Sequence, residues 1–231
     1  EEVSRGLGDV YKRQEQAHLD RIATTADPFQ GLLTIEVNTT ELCNRRCSFC
    51  PRVDPEIYPN QPLNMSIEVA KKIASNIGSE NYRGRISFSG YGENLMNKSF
   101  ANIVSKFRNA LSDDVIIECN TNGDFLTSET ISNLYKSGMT YLYVNLYDDE
   151  VQVEKFNDLF NKASAKDGTW TLRRHYDEKD YGLFLNNRSG LVKWIKTESK
   201  LEQQCFYPFY KMMVDYNGNV LFCSNDWGRE H

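Results

Sequence analysis

The sequence predicts an α/β fold in which repeated strand–helix units build a parallel β-sheet. Two observations predict it. Between residues 32 and 176, short runs rich in β-branched and aromatic residues alternate with segments whose apolar residues recur at helical spacing. Short loops join these segments, as is typical of right-handed βαβ units. Four or five such units are fewer than the eight of a complete (β/α)8 barrel, so we expect an open, partial TIM-like barrel.

Each element has its own signal in the sequence. The strands are expected at residues 32–38, 85–89, 115–119, 141–147 and 169–176. The helices are expected at residues 66–78, 100–111, 127–138 and 151–163. Ser66 is a candidate N-cap of the first helix, which Gly78 would end. Thr127 or Ser128 opens the third helix, and Gly138 stops it.

The strand–helix rhythm ends near residue 177. Asn217 and Gly218 lie between two apolar runs, at residues 211–216 and 219–223, and this arrangement predicts a β-hairpin. We therefore expect three regions: a leader with an N-terminal helix (1–31), the partial barrel (32–180), and the start of a small hairpin-containing domain (181–231) that is truncated. Residues 4–14 resemble translated sequencing-adapter read-through, so the leader is left out of the fold argument.

Composition excludes several classes of protein. The chain has 231 residues and a net charge of −5, so no basic footprint for nucleic acid is expected. No apolar run approaches the roughly 20 residues of a membrane helix, and no signal-peptide core is present. We therefore expect a cytoplasmic protein with neither nucleic acid nor membrane as a partner.

Three of the six cysteines fall within eight residues, directly after the first strand. Cys43, Cys47 and Cys50 have C-x3-C-x2-C spacing, which favours metal binding over disulfides. Tetrahedral zinc would need a fourth ligand, and no histidine lies nearby in the sequence. Three thiolates do suit a [4Fe–4S] cluster with one open iron. A structural zinc site with a distant ligand, or free buried cysteines, are the alternatives.

The segment CNRRCSFC resembles the signature of the radical S-adenosylmethionine (SAM) enzymes, including the aromatic Phe49 before the third cysteine. The resemblance implies that the amino and carboxylate groups of SAM bind the open iron. It also implies reductive cleavage of SAM to a 5′-deoxyadenosyl radical that abstracts a hydrogen from a substrate. Phe49 would shield the cluster, and Arg45 and Arg46 would offset its negative charge.

The ends of the later strands also match this family. GYGE resembles the GGE motif, so Gly92 and Glu93 would meet the amino group of SAM, although Tyr91 replaces the first glycine and Asn94 the following proline. Asn120 and Asn145 are the expected polar contacts to SAM on strands three and four. Asn145 would point away from its apolar neighbours, into the barrel. Further candidates for substrate or SAM carboxylate contacts lie near the end of strand five: Arg173, Arg174 and His175.

Two more cysteines flank the predicted hairpin. Cys205, Gly218 and Cys223 form a C-x12-G-x4-C pattern that resembles the opening of a SPASM or Twitch domain, in which such cysteines bind an auxiliary [4Fe–4S] cluster. Two cysteines cannot hold a cluster alone, and the other ligands are expected beyond His231. Cys119, inside strand three, is expected to be a small core residue.

The resemblance implies an enzyme with a [4Fe–4S] cluster and SAM, reduced by a partner such as flavodoxin or ferredoxin. We expect it to oxidise or modify a small molecule or sugar. A peptide-modifying maturase of the SPASM type is the alternative within the family. A zinc- or cluster-binding interaction module without catalysis is the alternative from another class. The sequence indicates no catalytic side chain beyond the cofactor-binding residues.

Overall fold

The computed structural model describes residues 28–180, 182, 187–196 and 205–229 of the chain. Most of the expected leader, residues 1–27, lies outside these ranges. A short helix, α1 (Pro28–Gly31), precedes the first strand. None of the described helices is both long and apolar enough to cross a membrane.

Seven strands form one open sheet in the described part of the chain. They are β1 (Thr34–Val37), β2 (Arg85–Phe88), β3 (Ile116–Thr121), β4 (Tyr141–Leu146), β5 (Trp170–Arg174), β6 (Lys211–Val214) and β7 (Val220–Leu221). Their order across the sheet is β5-β4-β3-β2-β1-β6-β7. The first six are mutually parallel, and β7 is antiparallel to β6. The predicted open, partial barrel is confirmed.

Four helices cover one face of this sheet. They are α2 (Ile67–Ser79), α3 (Phe100–Ala110), α4 (Ser128–Lys136) and α5 (Val151–Lys162). Ser66 and Thr127 cap α2 and α4, each accepting a backbone N–H three residues later. The predicted end of α2 at Gly78 is wrong by one residue. A Cβ on Gly78 would stand 2.3 Å from the carbonyl oxygen of Ala110, so this glycine lets α2 and α3 pack closely.

The two faces of the sheet differ in chemistry. One face is apolar: Val37, Phe88 and Cys119 lie side by side on neighbouring strands and are fully buried with the helices. The other face is polar, and in the next row Glu36 pairs in register with Ser87, which pairs with Glu118. Side chains alternate between the two faces along a strand. Once the apolar residues pack against the helices, the polar residues between them must point to the other face. This polar face is where a ligand could lie.

The hairpin forms as predicted, with shorter strands. Gly218 has φ +89°, and the Asp215 carboxylate accepts the N–H groups of Asn217 and Asn219, both at 2.9 Å. Its first strand, β6, is hydrogen-bonded in parallel to β1, so the hairpin continues the main sheet. The proposed boundary near residue 180 therefore does not separate two sheets, and a truncated second domain stays a prediction.

Candidate active site

The cysteine loop leaves the carboxyl end of β1, where ligands of parallel sheets collect. The Asn60 side chain holds the loop at its first cysteine, accepting the Cys43 N–H at 2.9 Å and donating to the Cys43 carbonyl at 3.1 Å. The N–H of Cys50 donates to the carbonyl of Cys47 at 3.0 Å. The Trp194 indole donates to the Ser48 carbonyl at 2.8 Å. All three cysteine side chains are half-buried and free of disulfides.

The thiols of this loop influence one another. Burial raises the pKa of all three, and Cys50 and Cys43 add to the effect on Cys47, whose pKa rises to about 11. The positive charge of Arg52 acts in the opposite direction and limits the rise in the pKa of Cys43 and Cys50. Iron binds the thiolate form, so such a cation would favour binding.

The donor set fits an iron–sulfur cluster. Three sulfur donors occur on one loop, and the buried Arg52 would place a positive charge beside the anionic cluster. Its Nη2 has no hydrogen-bond partner among the described residues and lies 3.7 Å from the Glu41 carboxylate. No three Cys, His, Asp or Glu side chains within the described ranges already converge as a metal cage. The loop would have to draw its thiols together on binding.

Arg45 is fixed by ion pairs, and its positive charge opposes the rise in the pKa of Cys47. Its guanidinium is bound to two carboxylates, Asp124 after β3 and Asp148 after β4, at 2.6–2.9 Å. Arg46 is exposed. Arg52 is a further cation near the thiols; it is buried, and its charge acts on Cys43 and Cys50. Sequence reasoning missed it because nothing local to an arginine after the third cysteine marks it as buried.

Glu93 is buried at the end of β2, only 3% exposed. One carboxylate oxygen accepts the Thr121 hydroxyl at 2.7 Å and the Leu95 N–H at 3.2 Å, and the other accepts the Asn122 N–H at 2.8 Å. Burial raises the pKa of Glu93, and these hydrogen bonds oppose that shift. The carboxylate thus joins the ends of β2 and β3 next to the cysteine loop.

Gly92 allows a close approach between two segments of the protein itself. A Cβ there would stand 2.1 Å from the Thr40 carbonyl oxygen and 2.7 Å from that of Leu42. The Glu93 N–H donates to the Leu42 carbonyl at 2.7 Å. The sequence prediction gave this glycine the role of making room for a ligand. It did not foresee that the glycine makes room for the start of the cysteine loop.

Packing accounts for both departures from the GGE pattern. Tyr91 is 2% exposed and lies in a small apolar cluster with Met213, Leu221 and Trp227. The amide oxygen of Asn94 accepts the Thr39 hydroxyl at 2.7 Å. These residues fasten the end of β2 to the hairpin and to the end of β1.

The two asparagines expected near SAM face the polar side of the sheet. Asn145 is half-buried between the buried Val144 and Leu146, so its predicted direction is confirmed. It donates to the Thr121 carbonyl at 3.3 Å and contacts His175 Nε2 at 3.0 Å. Its contact with SAM stays a prediction.

Asn120 also lies on the polar face. It accepts from Arg173 at 2.7 Å and donates to the Ser87 hydroxyl at 3.3 Å. The Arg173 guanidinium lies 3.7 Å from the centre of the Tyr143 ring. By contrast, Arg174 pairs with Glu150 and Asp180.

An aromatic row lies beside the third cysteine. The Phe49 ring is 5.6 Å from that of Tyr147, which stacks on His175 at 4.8 Å. Burial lowers the pKa of His175, which favours the neutral imidazole at pH 7. The structure therefore brings Phe49 and the end of β5 to the same region as the cysteine loop.

Four polar residues of this face were missed from the sequence. Glu36 is 9% exposed, accepting from Lys211 Nζ at 2.7 Å and the Ser89 hydroxyl at 3.1 Å, while its second oxygen is buried and unpaired among the described residues. Glu118 is 5% exposed, 3.3 Å from Arg85. The available signal was a polar residue at alternate positions of apolar strands. The missed residues are Glu36, Ser87, Glu118 and Lys211.

Cys205 and Cys223 flank the hairpin. Cys205 is exposed and precedes β6, whereas Cys223 is half-buried and follows β7. A four-residue helix, Tyr207–Tyr210, separates Cys205 from β6, whereas Cys223 follows β7 by two residues. Cys223 Sγ accepts the Asn225 N–H at 3.2 Å. Cys119 is fully buried in the core, as predicted.

Comparisons with known proteins agree with this geometry. A curated relative, the S-adenosyl-L-methionine-dependent 2-deoxy-scyllo-inosamine dehydrogenase of Niallia circulans, is 27% identical over 217 residues, which cover 88% of this chain and 77% of the relative. GTP 3′,8-cyclase of Helicobacter pylori (strain HPAG1) is 27% identical over 172 residues, covering 73% of this chain and 50% of the cyclase.

A solved structure is similar as well. The crystal structure of BtrN in complex with AdoMet and 2-DOIA matches with a TM-score of 0.70 and 25% identity, covering 87% of this chain and 76% of BtrN. The family model of the Radical SAM superfamily matches residues 37–169, more than half of the chain. The chain therefore belongs to the radical SAM superfamily, whose enzymes use a [4Fe–4S] cluster to cleave S-adenosylmethionine.

Proposed function

We propose that this protein oxidises a small, hydroxyl-rich molecule by radical SAM chemistry. Cys43, Cys47 and Cys50 would hold the [4Fe–4S] cluster and leave one iron for SAM. When bound, the cluster and SAM supply the 5′-deoxyadenosyl radical that abstracts a hydrogen. The observation that carries the proposal is the joint position of the thiol loop and the polar sheet face at the carboxyl ends of the strands.

Four residues would orient SAM beside the loop. Glu93 keeps lone pairs after its three hydrogen bonds and would accept the amino group of SAM, with Gly92 supplying backbone beside it. Asn120 and Asn145 would contact the polar parts of SAM from the sheet. Phe49 would exclude water from the cluster through its contact with Tyr147.

The polar face supports a small polar substrate. Glu36, Glu118 and Lys211 put carboxylates and an ammonium group on neighbouring strands, and Arg173 adds a guanidinium. Hydroxyl and amino groups pair well with such side chains. The similar dehydrogenase of Niallia circulans is named for an aminocyclitol, 2-deoxy-scyllo-inosamine, which supports a sugar-like substrate.

The hairpin cysteines would contribute to an auxiliary cluster. The support is their spacing in the sequence, since Cys205 and Cys223 flank the hairpin in the pattern that resembles a SPASM or Twitch domain. Further ligands would be needed to complete it. A low-potential reductant such as flavodoxin or ferredoxin would supply the electron for SAM cleavage.

The test is anaerobic reconstitution with iron and sulfide, followed by assay with SAM and dithionite. We expect 5′-deoxyadenosine, and transfer of deuterium into it from a carbon-deuterated cyclitol or aminocyclitol but not from a deuterated peptide. Deuterium transfer from peptides alone would favour a peptide maturase. A colourless protein with one zinc per chain would favour the interaction module and overturn the proposal.

Two variants test the proposed SAM contact. Glu93→Gln should weaken SAM binding about 10- to 100-fold, because a charge-assisted hydrogen bond contributes about 1.5–3 kcal/mol. Glu80→Gln, at an exposed position after α2, is the matched control and should bind SAM like the parent. Equal SAM affinity in both variants would remove Glu93 from the assignment.

A further inference from the structure

Glu41 is a buried carboxylate two residues before the first cysteine, and it lies at the centre of a charge network. It is 3% exposed. One oxygen accepts from Asn38 Nδ2 at 2.9 Å and from Arg229. The other accepts the Tyr58 hydroxyl and lies 3.7 Å from Arg52 Nη2. Two guanidinium groups therefore share one carboxylate.

Arg52 connects this network to the cysteine loop. It is 4% exposed and follows Cys50 by two residues. Its Nε donates to the Tyr91 carbonyl at 2.5 Å, and its Nη1 donates to Asn60 Oδ1 at 3.2 Å. The same Asn60 oxygen accepts the N–H of Cys43. Arg52 thus contacts the side chain that holds the first cysteine.

Arg229 connects the network to the segment after the hairpin. Its guanidinium lies 3.8 Å from the buried Asp215 and 5.9 Å from the centre of the Tyr91 ring. In the same segment, the Trp227 ring packs against Tyr58 at 4.6 Å and against Tyr91 at 4.5 Å. The segment after the hairpin therefore packs against the cysteine loop through both charge and aromatic contacts.

We propose that Glu41, Arg52 and Arg229 form a positioning network through which the segment after the hairpin sets the reduction potential of the cluster in the cysteine loop. This inference rests on the proposed assignment of that cluster to Cys43, Cys47 and Cys50. Reduction adds an electron, so a nearby guanidinium favours the reduced cluster and a nearby carboxylate opposes it. Burial weakens solvent screening and makes the balance among these three charges matter.

The network predicts shifts of opposite sign. Arg229→Gln removes a cation and leaves Glu41 to Arg52 alone, so the cluster should become harder to reduce. Glu41→Gln removes the anion, so the cluster should become easier to reduce. Tyr58→Phe takes one donor from Glu41 while keeping the ring, and should act like Arg229→Gln with a smaller effect. Tyr58→Phe still tests the proposed network if Glu41→Gln does not fold.

The experiment is a redox titration of the reconstituted full chain, followed by electron paramagnetic resonance. All proteins carry Cys205→Ser and Cys223→Ser, so that the signal comes from the cysteine loop. At a fixed potential, Arg229→Gln should shift the reduced-to-oxidised ratio about three- to tenfold toward the oxidised cluster, and tenfold is about 59 mV. Iron content and thermal midpoint are measured in parallel.

The exposed ion pair Arg83–Asp114 supplies the control. Arg83→Gln and Asp114→Asn should leave the cluster potential unchanged. Shifts of the same sign in Arg229→Gln and Glu41→Gln, or lower iron content with an unchanged potential, would reduce the network to a structural role and overturn the inference. A parent that binds iron without cleaving SAM contradicts only the proposed reaction, whereas a parent without iron contradicts the cluster assignment and this inference with it.

Discussion

Arg45 and Asp124 form a bidentate ion pair, in which Nε and Nη2 donate to the two carboxylate oxygens at 2.6 and 2.7 Å. Arg45 lies between the first two cysteines, and Asp124 follows β3. The same guanidinium also binds Asp148 beyond β4. A single side chain therefore fastens the cysteine loop across the carboxyl ends of two other strands.

Replacing Arg45 with glutamine should lower the free energy of unfolding by about 1–2 kcal/mol at pH 7, because charged hydrogen bonds to two carboxylates are lost. Arg45 holds the pKa of Asp124 below its ordinary value of 3.8. The unfolded chain binds that proton more readily, so this stabilisation is full above the ordinary pKa and is lost as pH falls through the lowered one. Urea unfolding at pH 7 and pH 3 measures the difference.

Arg83→Gln is the control: Arg83 pairs with Asp114 at an exposed position, so this variant should lose much less stability than Arg45→Gln. Equal losses in the two variants would mean that the Arg45 ion pairs add nothing beyond an ordinary surface pair.

Cys47→Ala should abolish SAM cleavage and lower the iron content, because two thiolates cannot hold the cluster. Cys119→Ala is the matched control: that cysteine is fully buried in the core and should cost only about 1 kcal/mol of stability. Iron per chain and 5′-deoxyadenosine formation are measured for both variants. The cluster assignment fails if Cys47→Ala produces 5′-deoxyadenosine at the parent rate.

Gly92→Ala should lower stability by about 3 kcal/mol, because the new Cβ collides with the carbonyl oxygen of Thr40 and cannot be relieved by a side-chain rotation. Iron uptake should fall as well, since the displaced segment leads directly to Cys43. Gly168→Ala is the control that separates the effect of a collision from the effect of backbone strain. Gly168 has φ +78° and no neighbour within 4 Å of a Cβ, so strain alone should cost about 1 kcal/mol. Normal iron uptake in Gly92→Ala would show that the loop tolerates the shift.

Glu118→Gln should gain stability relative to the parent protein as the pH rises from acid to neutral. Burial raises the pKa of Glu118 above its ordinary value of 4.5, although Arg85 opposes the shift. The folded protein then binds the proton more tightly than the unfolded chain, so stability declines as pH rises from 4.5 through the raised pKa. Glutamine does not titrate, and the advantage of the variant should grow over that window.

Thermal unfolding at pH 4 and pH 7.5 tests this expectation, with the exposed Glu129→Gln as the control. If Glu118→Gln instead loses stability relative to the parent as the pH rises, the contact of Glu118 with Arg85 outweighs the cost of burying its charge.

Local signals in the sequence were enough for much of the fold. Hydrophobic periodicity located the strands and helices, and the alternation around Asn145 gave its direction correctly, since both depend on nearest neighbours along one element. The cysteine spacing likewise indicated a family that the comparisons confirm.

The missing parts depend on contacts between distant segments. Nothing near Arg45 identifies Asp124 or Asp148 as its partners, 79 and 103 residues away. The placement of β6 beside β1 likewise joins distant segments, because strands 177 residues apart share no local pattern. Arg52 looks like a surface residue until the loop folds over it. Tertiary packing decides each of these positions.

The parallel pairing of β6 with β1 has a consequence for how the protein could be shortened. With β6 in place, the strand that leads to the cysteines has a hydrogen-bonded neighbour on both sides. Deleting residues from 205 onward would turn β1 into an edge strand, with one row of backbone groups open to water or to another chain. A shortened protein that keeps every cysteine of the loop would thus lose the lateral support of that loop and gain a surface prone to aggregation.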